Sequence, residues 1–251
     1  MALNTSENLL SFFRSIEYDW NNCVIEPDSG EQLFDIDPEK FEIPPKTFLE
    51  FAKADIKNEG IRGQINALSN VKRSIECQMD IILYSLKIPF ENKNFPQKLE
   101  ILENIGISSP GILQRINRIR VDLEHFYKSP KPANVIDAID VAHLFLDATL
   151  YPLTNFSDHF SLYVENEKNW IRNYRIYNGI DFQYDDKTGE YEIEFVTDGT
   201  TKKQIKVTSN NLEDYQKLVS ASIEIGKIVH FDDPMQKELA KSVLAKIGLD
   251  V

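Results

Sequence analysis

The chain has 251 residues, of which 42% are apolar and 11% aromatic, enough to bury a core and to exclude an intrinsically disordered protein. Its formal charge of −12 excludes broad, sequence-independent attachment to nucleic acid, because an acidic surface repels a polyanion beyond contact range. Cys23 and Cys77 lie far apart with no histidine at metal spacing, so neither a disulfide framework nor a zinc site is expected, and a reducing cytoplasm fits best.

No apolar run approaches the roughly 20 residues of a spanning helix, so no membrane association is expected. The opening MALNTSENLLSFFRSIEYDW has no basic region and does not read as a signal peptide. Its apolar residues Leu9, Leu10, Phe12, Phe13 and Ile16 predict a short helix. The Pro-, Gly- and Asp-rich EPDSGEQLFDIDPEKFEIPP predicts an irregular wrap or short hairpin, and a helix restarts over Thr47 to Lys57.

The strongest helical signal runs from Gln64 to Leu86, where Ile65, Leu68, Ile75, Met79, Ile82 and Leu86 recur at steps of three and four, with Lys72 the one lapse. A short helix follows at Gln97 to Ile105, then a break at Gly106, Pro110 and Gly111. The next helix, Ile112 to Tyr127, is expected to bury Ile112, Ile116, Ile119, Leu123 and Phe126. After Pro130 and Pro132, another over Ala133 to Leu150 uses Val135, Ile139, Ala142, Leu146 and Leu150. Three long helices with short connections predict an up-and-down bundle.

Past Pro152, residues 153–175 are aromatic and expected to be helical in part. FQYDDKTGEYEIEFVTDGTTKKQIKVTS reads as antiparallel strands, since Tyr191, Ile193 and Phe195 alternate with Glu190, Glu192 and Glu194 between turn sequences. Two closing helices, Asn211 to Ile228 and Pro234 to Ile247, complete the chain; Leu212, Tyr215, Val219 and Ile223 form the apolar face of the first. The expected organisation is an N-terminal helix and wrap over 1–59, a helical bundle over 60–152 and an α+β appendage over 153–251. The expected fold class is mainly α, with an antiparallel hairpin and helices appended.

One helix stands out chemically. Between Gly111 and Pro132, Arg115, Arg118, Arg120, Lys128 and Lys131 face only Asp122 and Glu124, a local excess of +3 against the global sign. At about 100° per residue, Arg118 and His125 share one line of that helix, away from the apolar stripe. Arg120 and Tyr127 share a line on the opposite flank, with Glu124 beside it. Taken singly, an exposed Arg is ordinarily a solvated side chain, and Glu124 sits where it can pair with Arg120.

The stretch ILQRINRIRVDLEHFYKSP resembles the active-site helix of HEPN domains, whose signature is Arg, four to six residues, then His. Arg120 to His125 meets the four-residue spacing, Arg118 to His125 the six-residue one, and Tyr127 completes Arg-x4-His-x-Tyr, as in HEPN toxins paired with minimal nucleotidyltransferases. NALSNVKRSIECQMDIILYSLKI and ANVIDAIDVAHLFLDATL resemble neighbouring helices of such domains, so the likeness spans about residues 60–150. Many active members carry a polar residue directly after the motif arginine; here Val121 stands there.

The resemblance implies a HEPN-like bundle and metal-independent RNA endonuclease activity without a cofactor, in a toxin–antitoxin or antiviral defence role. It implies His125 as base, Arg118 or Arg120 as phosphate ligand and Tyr127 in the site, in a homodimer that brings two copies of the helix to one cleft. Arg115, Lys128 and Lys131 are the expected RNA-binding cations, and Asp122 and Glu124 the expected orienting carboxylates. The other reading is a noncatalytic module that binds RNA, nucleotide or a protein partner such as an antitoxin.

Elsewhere, His143 reads as a core or interface histidine. His159 has no convincing ligand partner, and His230 to Asp233 reads as a helix N-cap before Pro234. Trp170, Tyr174 and Tyr177 with Arg172 and Arg175 read as a packed edge rather than a base-stacking platform.

Overall fold

A computed structural model describes residues 8–27, 37–58, 60–107, 110–164, 176–227 and 233–249; at 110, 112, 120, 124, 233 and 234 the description covers the backbone alone. The chain forms two compact units. One comprises Phe34–Ser85 and Pro89–Leu153; the other comprises Met1–Leu33, Leu86–Ile88 and Thr154–Val251.

The first unit is helical. It contains α2 (Pro45–Asp55), α3 (Ile61–Ser85), α4 (Phe95–Asn104), α5 (Pro110–Phe126) and most of α6 (Pro132–Thr154). Helix α3 is its axis: Leu68, Val71, Ile75, Met79 and Ile82 are fully buried, each contributing about 1.5–3 kcal/mol. Ser74 Oγ donates to the Pro45 carbonyl at 2.7 Å, and Gln78 Nε2 donates to Thr149 Oγ1 at 2.9 Å, so α2 and α6 each satisfy one buried polar side chain of α3. Helix α4 begins with a capping box in which Asn94 and Gln97 bond each other's backbone N–H. It is fixed to α3 by Lys98 and Asp80, 2.5 Å apart. Burial raises the Asp80 carboxyl's pKa, and Lys98 partly opposes that shift.

The second unit is built on a five-stranded antiparallel sheet in the order β1 (Cys23–Pro27), β2 (His159–Val164), β3 (Gly179–Asp185), β4 (Glu190–Thr197), β5 (Thr200–Thr208). Helices α1 (Leu9–Arg14), α7 (Leu212–Gly226) and α8 (Asp233–Ile247) belong to the same unit. Phe160 stacks on Phe182 at 4.4 Å between centroids, Phe13 stacks on Phe182 from α1, and Tyr184, Tyr191 and Tyr215 form a buried ring cluster. The Tyr215 hydroxyl donates to the Leu86 carbonyl at 2.8 Å, and Tyr191 meets Ser222 Oγ at 2.9 Å.

These strands correct the expected fold class. Among the described residues 57% are helical and 17% in strands, so the protein is mixed α+β rather than a mainly α bundle with a small hairpin. Strands form where the sequence predicts them; the expected alternation holds at Tyr191 and Ile193 and breaks at a bulge at Phe195/Val196, which leaves Phe195 half-buried and buries Val196. The two additional strands come from segments read differently. Cys23–Pro27 only overlaps the start of the predicted wrap, at Glu26 and Pro27, its first three residues carrying no predicted element, and His159–Val164 lies within the segment expected to be partly helical. Ile25 pairs with Leu162 across more than 130 residues, and five-residue CVIEP carries no alternation of its own. No helix among the described residues is long and apolar enough to cross a membrane.

Candidate active site

Helix α5 is shallowly seated. Leu113 and Ile116 are buried, whereas Ile119 and Leu123 are only half-buried and Phe126 is 62% exposed. The expected stripe is therefore corrected at its C-terminal end: the helix emerges from the core over its last two turns. Ile112's side chain lies outside the described residues.

The end of α5 is closed by a backbone reversal. Tyr127 takes a left-handed φ of 55° and is 90% exposed, while the Lys128 N–H donates to the Asp122 carbonyl at 3.1 Å. Lys128 Nζ lies 3.6 Å from Asp122 Oδ1 and 5.3 Å from the Phe126 ring centroid, so this cation folds back on the helix end. A bulky residue is uncommon in this conformation, which ordinarily goes to Gly or Asn.

Arg118 and His125 are both exposed on the line that the helical spacing gives them. Arg115 and Lys131 are exposed as well. Asp122 is half-buried and turned to Lys128, not bonded to His125. The side chains of Arg120 and Glu124 lie outside the described residues.

Two grooves flank α5, and Arg118 lines both. One, of about 490 Å³, runs between α5 and the start of α6; Arg115, Arg118 and Asp122 face Asn134, Asp137 and Asp140. The other, of about 620 Å³, lies between α4 and α5, with Glu100, Glu103, Gln114, Asn117 and Val121 among its lining. Val121, the departure from the HEPN pattern, is thus a half-buried groove residue. The chain's acidity is concentrated elsewhere: the helical unit holds 14 Lys and Arg against 17 Asp and Glu, the sheet unit 14 against 23.

The remaining histidines divide. His143 is exposed on α6 with Nε2 3.4 Å from Asp147, so its reading as a core residue is corrected. His159 acquires a partner that sequence inspection missed: its Nε2 lies 3.0 Å from Asp181 Oδ1, and Ser161 Oγ donates to the same oxygen at 2.6 Å. Ser161 and Asp181 are cross-strand neighbours of β2 and β3, a pairing invisible without the β2 assignment. Because Ser161 donates directly to the carboxylate, the trio differs from a relay in which imidazole stands between serine and carboxylate. His230, Trp170, Arg172, Tyr174 and Arg175 lie outside the described residues.

Comparison of the chain with protein-family models, curated proteins and solved structures gives no match in any of the three.

Proposed function

We propose that α5 carries the active site of a metal-independent RNA endonuclease, as its resemblance to HEPN domains implies. The observation that supports this reading best is the joint exposure of Arg118 and His125 on one line of a helix whose local charge opposes that of the chain. Imidazole accepts a proton near neutral pH, so His125 takes the proton of a ribose 2′-hydroxyl as that oxygen attacks the adjacent phosphate. The bond to the 5′-oxygen breaks, the leaving oxygen takes a proton from solvent while His125 returns its own to solvent, and a 2′,3′-cyclic phosphate and a 5′-hydroxyl result. Arg118 offers paired N–H donors to the crowded phosphorane, a fork that an ammonium does not reproduce. Arg120 is the second phosphate ligand that the motif allows, and Tyr127 places a phenol at the end of the same helix.

A two-fold across α5 would bring two copies of Arg118 and His125 to one cleft, with the exposed Phe126 as contact area. RNA is the proposed substrate, and a toxin or defence role is what the resemblance adds. A noncatalytic RNA-binding module is the second reading; the absence of a hydrogen bond between Asp122 and His125 favours it, since the imidazole then has no described carboxylate to fix its tautomer.

The test is incubation of purified protein with mixed RNA in EDTA, beside His125→Ala and Arg118→Ala. Cleavage by the wild type and its loss by about 10²-fold or more in either variant is expected. Equal products from all three mean contamination and sink the nuclease reading; RNA binding without products from any establishes the second.

A further inference from the structure

We infer that the groove between α5 and α6 is a guanine-selective subsite, holding the base of the nucleotide next to the cleaved phosphate. This rests on the ribonuclease reading for its substrate, and on the following features of the groove for its selectivity.

The two walls carry opposite charge and do not neutralise each other. Arg115 and Arg118 stand three residues apart on α5, and Asp137 and Asp140 three apart on α6, each pair on one face of its helix. Like charges at that spacing cost a few tenths of a kilocalorie per mole, and a structural role would offset the cost by ion pairs across the groove. No ion pair or hydrogen bond is formed by any of these four side chains among the described residues. At about 490 Å³, the space between them falls within the size of small-ligand sites.

A ligand bridging these walls needs an anion at one end, hydrogen-bond donors at the other and an apolar body between. The floor is apolar, formed by Ile116, Ile119, Ala138 and Val141, and suits the face of a flat ring. The guanidinium wall takes phosphate. The carboxylate wall accepts hydrogen bonds and donates none while ionised. Among the four RNA bases, only guanine shows two adjacent donors, N1–H and the N2 amino group, to a carboxylate. Adenine and cytosine place one amino donor beside a ring acceptor, and uracil places its single N–H between two carbonyl oxygens. The same carboxylates that welcome guanine therefore repel an edge of each other base.

Arg118 connects this subsite to the reaction, since it lines the groove and shares a line with His125. Asn134, half-buried at the start of α6, adds an amide beside the carboxylates.

The experiment measures binding of GMP, AMP, CMP and UMP to the full chain by calorimetry, with cleavage sites in RNA mapped on the same preparation. GMP is expected to bind about tenfold or more tightly than the other three, and cuts to fall beside guanosines. In Asp137→Asn/Asp140→Asn the preference for GMP collapses toward one, because an amide keeps one acceptor oxygen and sets an N–H against guanine's second donor; circular dichroism checks that these exposed substitutions leave the fold intact. Equal affinity for the four nucleotides, no measurable GMP binding, or a preference that survives both substitutions overturns the subsite. GMP selectivity without RNA cleavage sinks the nuclease reading and leaves the subsite standing. Cleavage without base preference and without GMP binding does the reverse.

Discussion

Replacing Tyr127 by glycine separates a side chain kept for structure from one kept for chemistry. The residue closes α5 at φ 55°, a conformation that costs an L-residue roughly 1–2 kcal/mol and glycine almost nothing. Against that gain, glycine's greater freedom in the unfolded chain costs about 0.5–1 kcal/mol. Since Tyr127 is 90% exposed, about a tenth of a ring worth roughly 200 Å² is shielded, near 0.5 kcal/mol at 25 cal/mol per Å². The terms nearly cancel, so Tyr127→Gly should unfold within about 0.5 kcal/mol of wild type, where a buried aromatic truncated to alanine costs about 3–5 kcal/mol. Tyr127→Ala keeps the strained backbone, so the glycine variant should exceed it by about 1 kcal/mol, or about 2 °C in the melting midpoint of a chain this long. Urea and thermal unfolding measure both, and RNA cleavage on the same samples reads function. Activity should fall by about tenfold or more in both variants, the loss of one hydrogen bond to a charged group. A Tyr127→Gly protein destabilised by about 2 kcal/mol or more would refute this reasoning, because the ring would then be holding the helix end.

Three further outcomes concern the sheet unit. A Cβ on Gly226 would lie 1.5 Å from the Asn155 carbonyl oxygen, so Gly226→Ala must displace backbone and should cost about 3 kcal/mol or more in chemical denaturation. Tyr215→Phe strips the buried Leu86 carbonyl of its donor and should cost about 1–3 kcal/mol by the same assay, with helix content unchanged by circular dichroism. Burial pushes the Cys23 thiol up to about 12 from an ordinary 9.0, and Tyr18 and Tyr184 up to about 12 from 10.0. With folded values above unfolded ones, the folded state binds more protons, so stability holds below pH 9 and declines as pH rises toward 12. Denaturation midpoints measured along an alkaline series should show the decline, and Cys23→Ala should lessen its earliest part. A midpoint that stays flat above pH 10 would contradict the burial assigned to these groups.

Helical periodicity determined much of this protein without help. The three- and four-residue steps of Ile75, Met79 and Ile82 located α3; Pro110, Pro130 and Pro132 bounded α5; and the alternation about Tyr191 and Ile193 gave β4. These signals are local, because a helix or a half-buried strand writes its buried face at a fixed interval. The same arithmetic placed Arg118 and His125 on one line. Tertiary structure alone decided the rest. Cys23–Pro27 and His159–Val164 are strands because they pair with each other and with β3, and a short strand gains its stability from partners rather than from its own sequence. That pairing turned an expected bundle with an appendage into an α+β chain in which the helical unit's residues lie, in sequence, between those of β1 and β2. It also brought Asp181 to His159, and the packing of α6 beside α5 set Asp137 and Asp140 opposite Arg115 and Arg118. A helical wheel shows which way a residue faces; what stands across from it depends on where another helix comes to rest, and that is fixed by the burial of the whole core.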